Sequence, residues 1–216
     1  MYQNFIFDLD GTLIDSSRSI ISTIEETIEE MGLDKVDLSQ LKFFSLSPIE
    51  QSFSEFYKLN KSQSIKANQI YRRLYARHLN EAVLFPQIKD LLKIIKARGH
   101  KIFIATYKRL DYAVKICKNL DIFSYFLDIY GSPKDNKFIA KEEIVSKLIS
   151  DYDINCVQSI LIGDTIHDAI AANKNNLSFI AVTYGNGFKL PRDLIKVNPL
   201  LKVNSIDELI SWVYCE

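Results

Sequence analysis

Phe7-Asp8-Leu9-Asp10-Gly11-Thr12 sets two carboxylates one residue apart near the start of a 216-residue chain. The apolar Phe5-Ile6-Phe7 before them reads as a buried strand. That strand delivers both acids at its C-terminal end, where Gly11 lets the backbone turn. Residues i and i+2 of a strand point to one side. Two like charges there repel unless something positive sits between them, most simply a hard cation such as Mg²⁺. Asp8 and Asp10 are therefore the first candidates for chemistry.

A second acidic group is Gly163-Asp164-Thr165-Ile166-His167-Asp168, after the apolar run Ser159-Ile160-Leu161-Ile162. Asp164 and Asp168 are four apart, and a helix starting here brings them toward one face. Four carboxylates from two strand ends need a metal to neutralise them, and oxygen ligands favour Mg²⁺ over zinc.

The elements that must position these acids follow from the pattern. Strands are predicted at Asn4–Phe7, Lys101–Ala105, Leu127–Tyr130, Ser159–Ile162 and Phe179–Val182. Helices are predicted at Gln87–Arg98, closed by Gly99, and at Leu110–Leu120, Glu142–Ser150 and Asp168–Asn176. Strand and helix alternate, which implies an α/β fold whose parallel strands are joined by crossovers. In open sheets of this kind ligands bind beyond the carboxyl ends of the strands. Both acidic groups stand there.

One segment breaks the alternation. From about Asp15 to Leu84 there is no convincing strand, while Ile20, Ile21, Ile24 and Ile28, then Ile49, Phe53 and Phe56, then Ile70 and Leu74 recur at helical spacing. The expectation is a small all-helical domain, residues 15–84, inserted into an α/β core of residues 1–14 and 85–216. Phe85-Pro86, where the chain returns, reads as a hinge. A helical insertion beside the first acidic loop can close over a substrate and exclude water.

Composition narrows the class. The chain is 47% hydrophobic, enough for an ordinary core. Basic and acidic residues balance at 27 each, so no global field favours nucleic acid. Cys117, Cys156 and Cys215 form no Cys-x-x-Cys pair and suggest neither a zinc site nor a disulfide framework. No apolar run approaches the roughly 20 residues of a membrane span, and no basic-then-apolar leader opens the chain. The expected setting is soluble, reducing and cytoplasmic, with neither a membrane nor a nucleic-acid partner.

Asp-x-Asp-Gly-Thr after one strand and Gly-Asp-x-x-x-Asp after a later one together resemble the first and fourth motifs of the haloacid dehalogenase superfamily. The resemblance covers nearly the whole chain and is nearest to the phosphoglycolate phosphatase-like branch, which carries a helical cap. Tyr130-Gly131-Ser132 followed by Lys141-Glu142-Glu143-Ile144, the His167-Asp168 ending, and Val182-Thr183-Tyr184-Gly185-Asn186-Gly187 resemble segments of that branch. The resemblance implies a Rossmann-like core with a helical cap, bound Mg²⁺, and hydrolysis of a small phosphorylated metabolite such as phosphoglycolate or a nucleoside monophosphate. It implies that Asp8 attacks phosphorus and that Asp10 exchanges a proton with the leaving alcohol and then with water. Asp8 and Asp164 would hold the metal by side chains and Asp10 by its carbonyl. Thr106, at the end of the strand starting at Lys101, would bind a phosphate oxygen, and Asp168 would support the metal waters or the phosphate-binding lysine.

That lysine has four candidates: Lys134, Lys137, Lys141 and Lys147. Lys141 is chosen because its spacing from Gly131-Ser132 fits the branch and a helix begins there. Lys108 matches the branch's Thr-x-Lys pattern, but Arg109 stands where proline is usual. The loop 133–140 has lost most of the branch's acidic residues, and Ser45-Leu46-Ser47-Pro48 keeps only the proline of a Gly-x-Pro stretch in related caps. Arg72, Arg73, Arg77 and Lys42 read as a solvated helix face, His78 and His100 as surface residues, and His167 as pointing away from the site. The same architecture admits a phosphomutase or a catalytically silent phosphate-binding regulator. A dehalogenase fits poorly, because the metal-binding acids have no role in displacing halide. A dinucleotide oxidoreductase fits worst, because no Gly-x-Gly-x-x-Gly follows the first strand.

Overall fold

A computed structural model describes residues 1–37, 40, 44, 48–135, 139–188 and 194–215. Eight strands and eight helices lie among them. The strands are β1 (Asn4–Phe7), β2 (Ile14–Asp15), β3 (Val83–Leu84), β4 (Lys101–Arg109), β5 (Asp128–Ser132), β6 (Ser159–Gly163), β7 (Ser178–Val182) and β8 (Leu201–Val203). The helices are α1 (Ser17–Met31), α2 (Ile49–Tyr57), α3 (Lys61–Tyr75), α4 (Ile88–Ala97), α5 (Leu110–Asn119), α6 (Lys141–Tyr152), α7 (Ile166–Lys174) and α8 (Ile206–Cys215). No helix among the described residues is long and apolar enough to cross a membrane.

Two compact units result: Met1–Asp15 with Leu84–Glu216, and Ser16–Val83. The first is built on a six-stranded sheet in the order β5-β4-β1-β6-β7-β8. Its neighbouring strands all pair in parallel. Every residue of β1 and β6 is buried, as expected for central parallel strands covered on both faces. On one face Ile6, Phe103 and Leu161 pack with Ile144, Val145 and Leu148 of α6 and Ala169 and Ala172 of α7. Helix α4 contributes the buried Leu91, Leu92 and Ile95 and packs with α8, which buries Leu209 and Val213.

Helical pattern and caps account for the second unit. Ile20, Ile24 and Ile28 recur along α1 and are buried. Gly32 ends the helix in the left-handed region, its N–H bonded to Glu29 O while Leu33 N–H bonds to Ile28 O. Asn60 and Gln63 form a reciprocal capping box at the start of α3. Phe44, Phe53, Phe56 and Tyr57 form an aromatic cluster, with Phe44 and Phe53 edge-on at 4.9 Å.

The structure corrects several local expectations. The strand expected at Leu127 begins at Asp128, and Leu127 is exposed. The strand expected to stop at Ala105 runs on to Arg109. Ala105 is opposite Tyr130 and Arg109 is opposite Ser132, so β4 takes four steps where β5 takes two. The intervening residues bulge out of the ladder. Helix α7 starts at Ile166 rather than at Asp168, because Thr165 caps it and Asp168 reaches back from the first turn. The edge strand β8 and the two-stranded β2-β3 sheet were not expected, so the span from Asp15 to Leu84 is bracketed by short strands. His78 is not a surface residue. Its side chain is 12% exposed and lies between Glu26 and Glu81. His100 is partly covered, its ring 5.1 Å from Phe5. Arg73 pairs with Glu30 and Arg77 with Glu26 on an exposed face. Lys42, Lys137 and Ser45-Leu46-Ser47 lie outside the described residues.

Candidate active site

Sheet register brings the candidate residues to one edge. Phe7 pairs with Ile104 on one side and Ile162 on the other. The next residue, Asp8, is therefore level with Ala105 and Gly163, one step short of Thr106 and Asp164. Asp8 N–H still donates to Ile162 O at 2.9 Å, so the ladder holds the first acid at the centre of the sheet. After Asp8 the chain leaves the strand. Leu9 O accepts from the N–H groups of Leu13 and Ile14, closing a turn around Gly11, whose φ is +79°. Asp8 and Asp10 thus project from a loop rather than by strand alternation.

Each of these two acids faces a lysine. Lys141, the first residue of α6, places Nζ 2.5 Å from Asp8 Oδ1 and also pairs with Asp168 Oδ1. All three side chains are buried. Lys108 Nζ lies 3.0 Å from Asp10 Oδ1. Of the other lysine candidates, Lys134 and Lys147 are exposed and pair with Asp111 and Asp151.

Asp164 stands just before α7 and is fixed by backbone rather than by a helix face. Asn186 N–H and Gly187 N–H donate to its Oδ2 at 2.8 and 3.0 Å. Its Oδ1 is buried, and no donor among the described residues reaches it. Asp168 Oδ2 accepts from Thr165 N–H and from its hydroxyl, which turns Oδ1 toward Lys141. One carboxylate oxygen from each of Asp8, Asp164 and Asp168 lies within 4.8 Å of the others. Close approach depends on Gly11 and Gly185, where an added Cβ would come 2.2 Å from Asp164 Oδ2 and 2.1 Å from Gly11 O.

The electrostatics follow from burial. Burial raises the Asp8 carboxyl well above the usual range, with Lys141 pulling it back and Asp168 and Asp164 adding to the rise. Burial also lifts Asp164, with Asp168 adding to it and the two backbone N–H groups opposing, to about 7. On Lys141 burial works against the ammonium, but Asp168 and Asp8 outweigh it and raise its pKa. An orphaned carboxylate oxygen beside two other buried carboxylates is an incomplete, oxygen-only donor set. A hard divalent cation fits such a set, since it neutralises like charges that otherwise resist ionisation.

Thr106 is buried, and its Oγ1 accepts from Lys108 N–H at 3.2 Å. Ser132 Oγ donates to Tyr107 O at 2.6 Å, tying β5 to the bulge. Tyr107 OH accepts from Lys141 N–H at 3.2 Å, and its ring meets the ring of His167 edge-on at 5.5 Å. His167 therefore packs in the layer beside Lys141, half-buried, and burial lowers its pKa. Arg109, in the place of a proline, makes a two-pronged pair with Asp111 and stacks on Tyr112 at 3.8 Å.

Sequence reasoning missed three contributors. The Thr-x-Lys spacing of Lys108 does not announce its pairing with Asp10. Tyr107 gave no signal. The backbone donors at Asn186 and Gly187 were signalled only by the Gly-x-Gly spacing.

The family model described as haloacid dehalogenase-like hydrolase matches residues 5–182. A 5'-nucleotidase of Pseudomonas aeruginosa is 33% identical over 187 residues, covering 86% of this chain and 85% of its own. A phosphoglycolate phosphatase of Vibrio parahaemolyticus is 22% identical, covering 96% of this chain and 94% of its own. The crystal structure of a predicted phosphatase from Clostridium acetobutylicum superposes with a TM-score of 0.93 at 32% identity, covering all of both chains. With a family model spanning most of its length and relatives alike from end to end, the chain belongs to the haloacid dehalogenase-like hydrolase family, as a phosphoric monoester hydrolase.

Proposed function

We propose that the chain is a Mg²⁺-dependent phosphatase of small phosphate monoesters that works through an aspartyl-phosphate. The observation that supports this reading best is the buried cluster of Asp8, Asp164 and Asp168, with Lys141 paired to Asp8 and Asp168 and with Asp164 Oδ1 unpartnered among the described residues. Asp8 and Asp164 side chains and the Asp10 carbonyl would hold the cation. When bound, it supplies positive charge that lets a carboxylate approach an anionic ester.

The chain's own groups do the rest. An Asp8 oxygen forms a bond to phosphorus as the bond to the leaving oxygen breaks. Asp10 protonates that oxygen, so the product leaves as an alcohol. Asp10 then takes a proton from water, the water oxygen bonds to phosphorus, and Asp8 is released as carboxylate with inorganic phosphate. Lys141 and the Thr106 hydroxyl bind the phosphoryl oxygens, and Lys141 balances charge on Asp8 throughout. Asp168 keeps Lys141 in place. The helical unit Ser16–Val83 serves as the cap that admits substrate and excludes water.

The 5'-nucleotidase relative is the more similar of the two curated relatives above, which supports a nucleoside monophosphate ahead of phosphoglycolate. The test is phosphate release from nitrophenyl phosphate with and without Mg²⁺, in wild type and Asp8→Asn, followed by a panel of nucleoside monophosphates, phosphoglycolate, sugar phosphates and pyrophosphate. Turnover that needs Mg²⁺ and vanishes in Asp8→Asn supports the reading. Binding of a phosphate analogue without hydrolysis of any panel member would favour a silent regulator, and sugar-phosphate isomerisation without net release a mutase.

A further inference from the structure

Asp10 and Lys108 form a pair of their own beside the Asp8 cluster. Lys108 Nζ is 3.0 Å from Asp10 Oδ1, and the lysine side chain is 7% exposed while the aspartate is 26% exposed. An ammonium this far from water needs a charged or polar partner. Its main chain is held firmly. Lys108 N–H bonds to Thr106 Oγ1, and Lys108 O sits so near Gly131 that an added Cβ there would come within 2.6 Å. The bulge between Ala105 and Arg109 puts Lys108 at the carboxyl edge of β4 beside the loop that carries Asp10. A point charge on a pinned backbone restricts the carboxylate it meets.

We propose that Lys108 is a positioning residue that holds the Asp10 carboxyl group in the orientation needed to exchange a proton with the leaving group. This rests on Asp10 as the proton-transfer group of the phosphatase reading above. As the bond between phosphorus and the leaving oxygen breaks, its electron pair stays on that oxygen, which takes the Asp10 proton. Asp10 is left as a carboxylate paired with the Lys108 ammonium. In the second half, the proton lost by the attacking water returns to Asp10.

Leaving-group dependence reads this role directly. A nitrophenolate departs with little protonation, whereas an alkoxide needs a proton. The full chain with Mg²⁺ is assayed on nitrophenyl phosphate, phenyl phosphate and an alkyl phosphate. The variants are Lys108→Met, Lys108→Arg, Asp10→Asn and the double variant Lys108→Met with Asp10→Asn. Lys108→Met is expected to lose about 10- to 100-fold in kcat/KM on the alkyl ester and under about threefold on the nitrophenyl ester, a part of the roughly 10²–10⁴-fold of general acid catalysis. Lys108→Arg restores part of the loss. The double variant is no worse than Asp10→Asn alone, because a residue acting only through Asp10 has nothing left to act on. Inhibition by inorganic phosphate stays as in wild type.

An equal loss on all three esters, weaker phosphate inhibition, or additive losses in the double variant would overturn the positioning role. Should Lys108→Met fail to fold, Lys108→Gln carries the same comparison, and its matching wild type on the alkyl ester while Asp10→Asn does not would also overturn it. A wild-type chain that releases no phosphate from any ester removes the phosphatase reading and this role with it. A competent wild type with indifferent Lys108 variants removes this role alone.

Discussion

Lys141 Nζ lies 2.5 Å from Asp8 Oδ1, with both side chains buried and Asp168 on the other side of the same ammonium. One ammonium therefore serves two acids, one just past the end of β1 and one in the first turn of α7, and the two sides of the pair should respond oppositely to removal. Lys141→Met leaves two buried carboxylates without their counter-charge. It should cost on the order of 3–5 kcal/mol in stability and eliminate turnover. Asp8→Asn also eliminates turnover but relieves crowding among acids, so its melting temperature without Mg²⁺ should equal or exceed that of wild type. Thermal melts of both variants check the contrast.

Asp164 contributes one carboxylate oxygen to the acidic cluster, and no donor among the described residues reaches its Oδ1. Saturating Mg²⁺ should raise the melting temperature of wild type, with about 2.7 kcal/mol of stabilisation at 100 times Kd. Asp164→Ala should lose most of that shift, and its activation by Mg²⁺ should need at least about tenfold more metal. Calorimetric titration with Mg²⁺ checks the binding without reference to activity.

Gly11 has φ +79°, and an added Cβ would collide with Asp164 Oδ2. Gly11→Ala meets both obstacles. It should lose about 1–3 kcal/mol from the backbone conformation alone. Its loss of activity should exceed what the fraction unfolded explains, because the displaced group is Asp164. Urea titration alongside phosphate release separates the two.

His78 joins the end of the helical unit to α1 through both ring nitrogens, Nδ1 to Glu81 at 2.9 Å and Nε2 to Glu26 at 3.0 Å. Arg18 and Arg77 stand on the far sides of the same two glutamates. Burial lowers the imidazole's pKa, but the hydrogen bonds it donates to Glu81 and Glu26, with their negative charge, together outweigh it, so the folded value is raised. A raised histidine contributes stability in full below its unfolded pKa of about 6.5 and loses it as pH climbs through the folded value. The stability difference between wild type and His78→Gln should therefore be largest near pH 5.5 and shrink above pH 7. Denaturant unfolding at a series of pH values checks this, and a difference that grows with pH would reverse the assignment.

Central strands were legible because parallel strands buried on both faces read as short apolar runs; β1 was found to the residue and β6 to within one. Strand β8 was not, since it has only three residues and exposes Lys202 between Leu201 and Val203. The far end of β4 was missed because Thr106, Lys108 and Arg109 are polar and the ladder there is bulged. The meeting of Asp8, Asp164 and Asp168 was legible because acids directly follow two apolar runs. The pairing of Lys141 with Asp8 was legible through its spacing from Gly131-Ser132, which resembles the branch, and through the helix that it opens. The contact between Lys108 and Asp10 depends on a bulge that no local pattern announces, and the grip of Asn186 on Asp164 uses a peptide group that every residue but proline possesses.

That last contact has an evolutionary reading. The main-chain nitrogens at 186 and 187 steady Asp164, so position 186 must keep its N–H, while 187 must stay without a Cβ that would sit 2.0 Å from Asp164 O. Proline is the residue that this contact shuts out at 186, since its ring leaves no N–H to hold the acid.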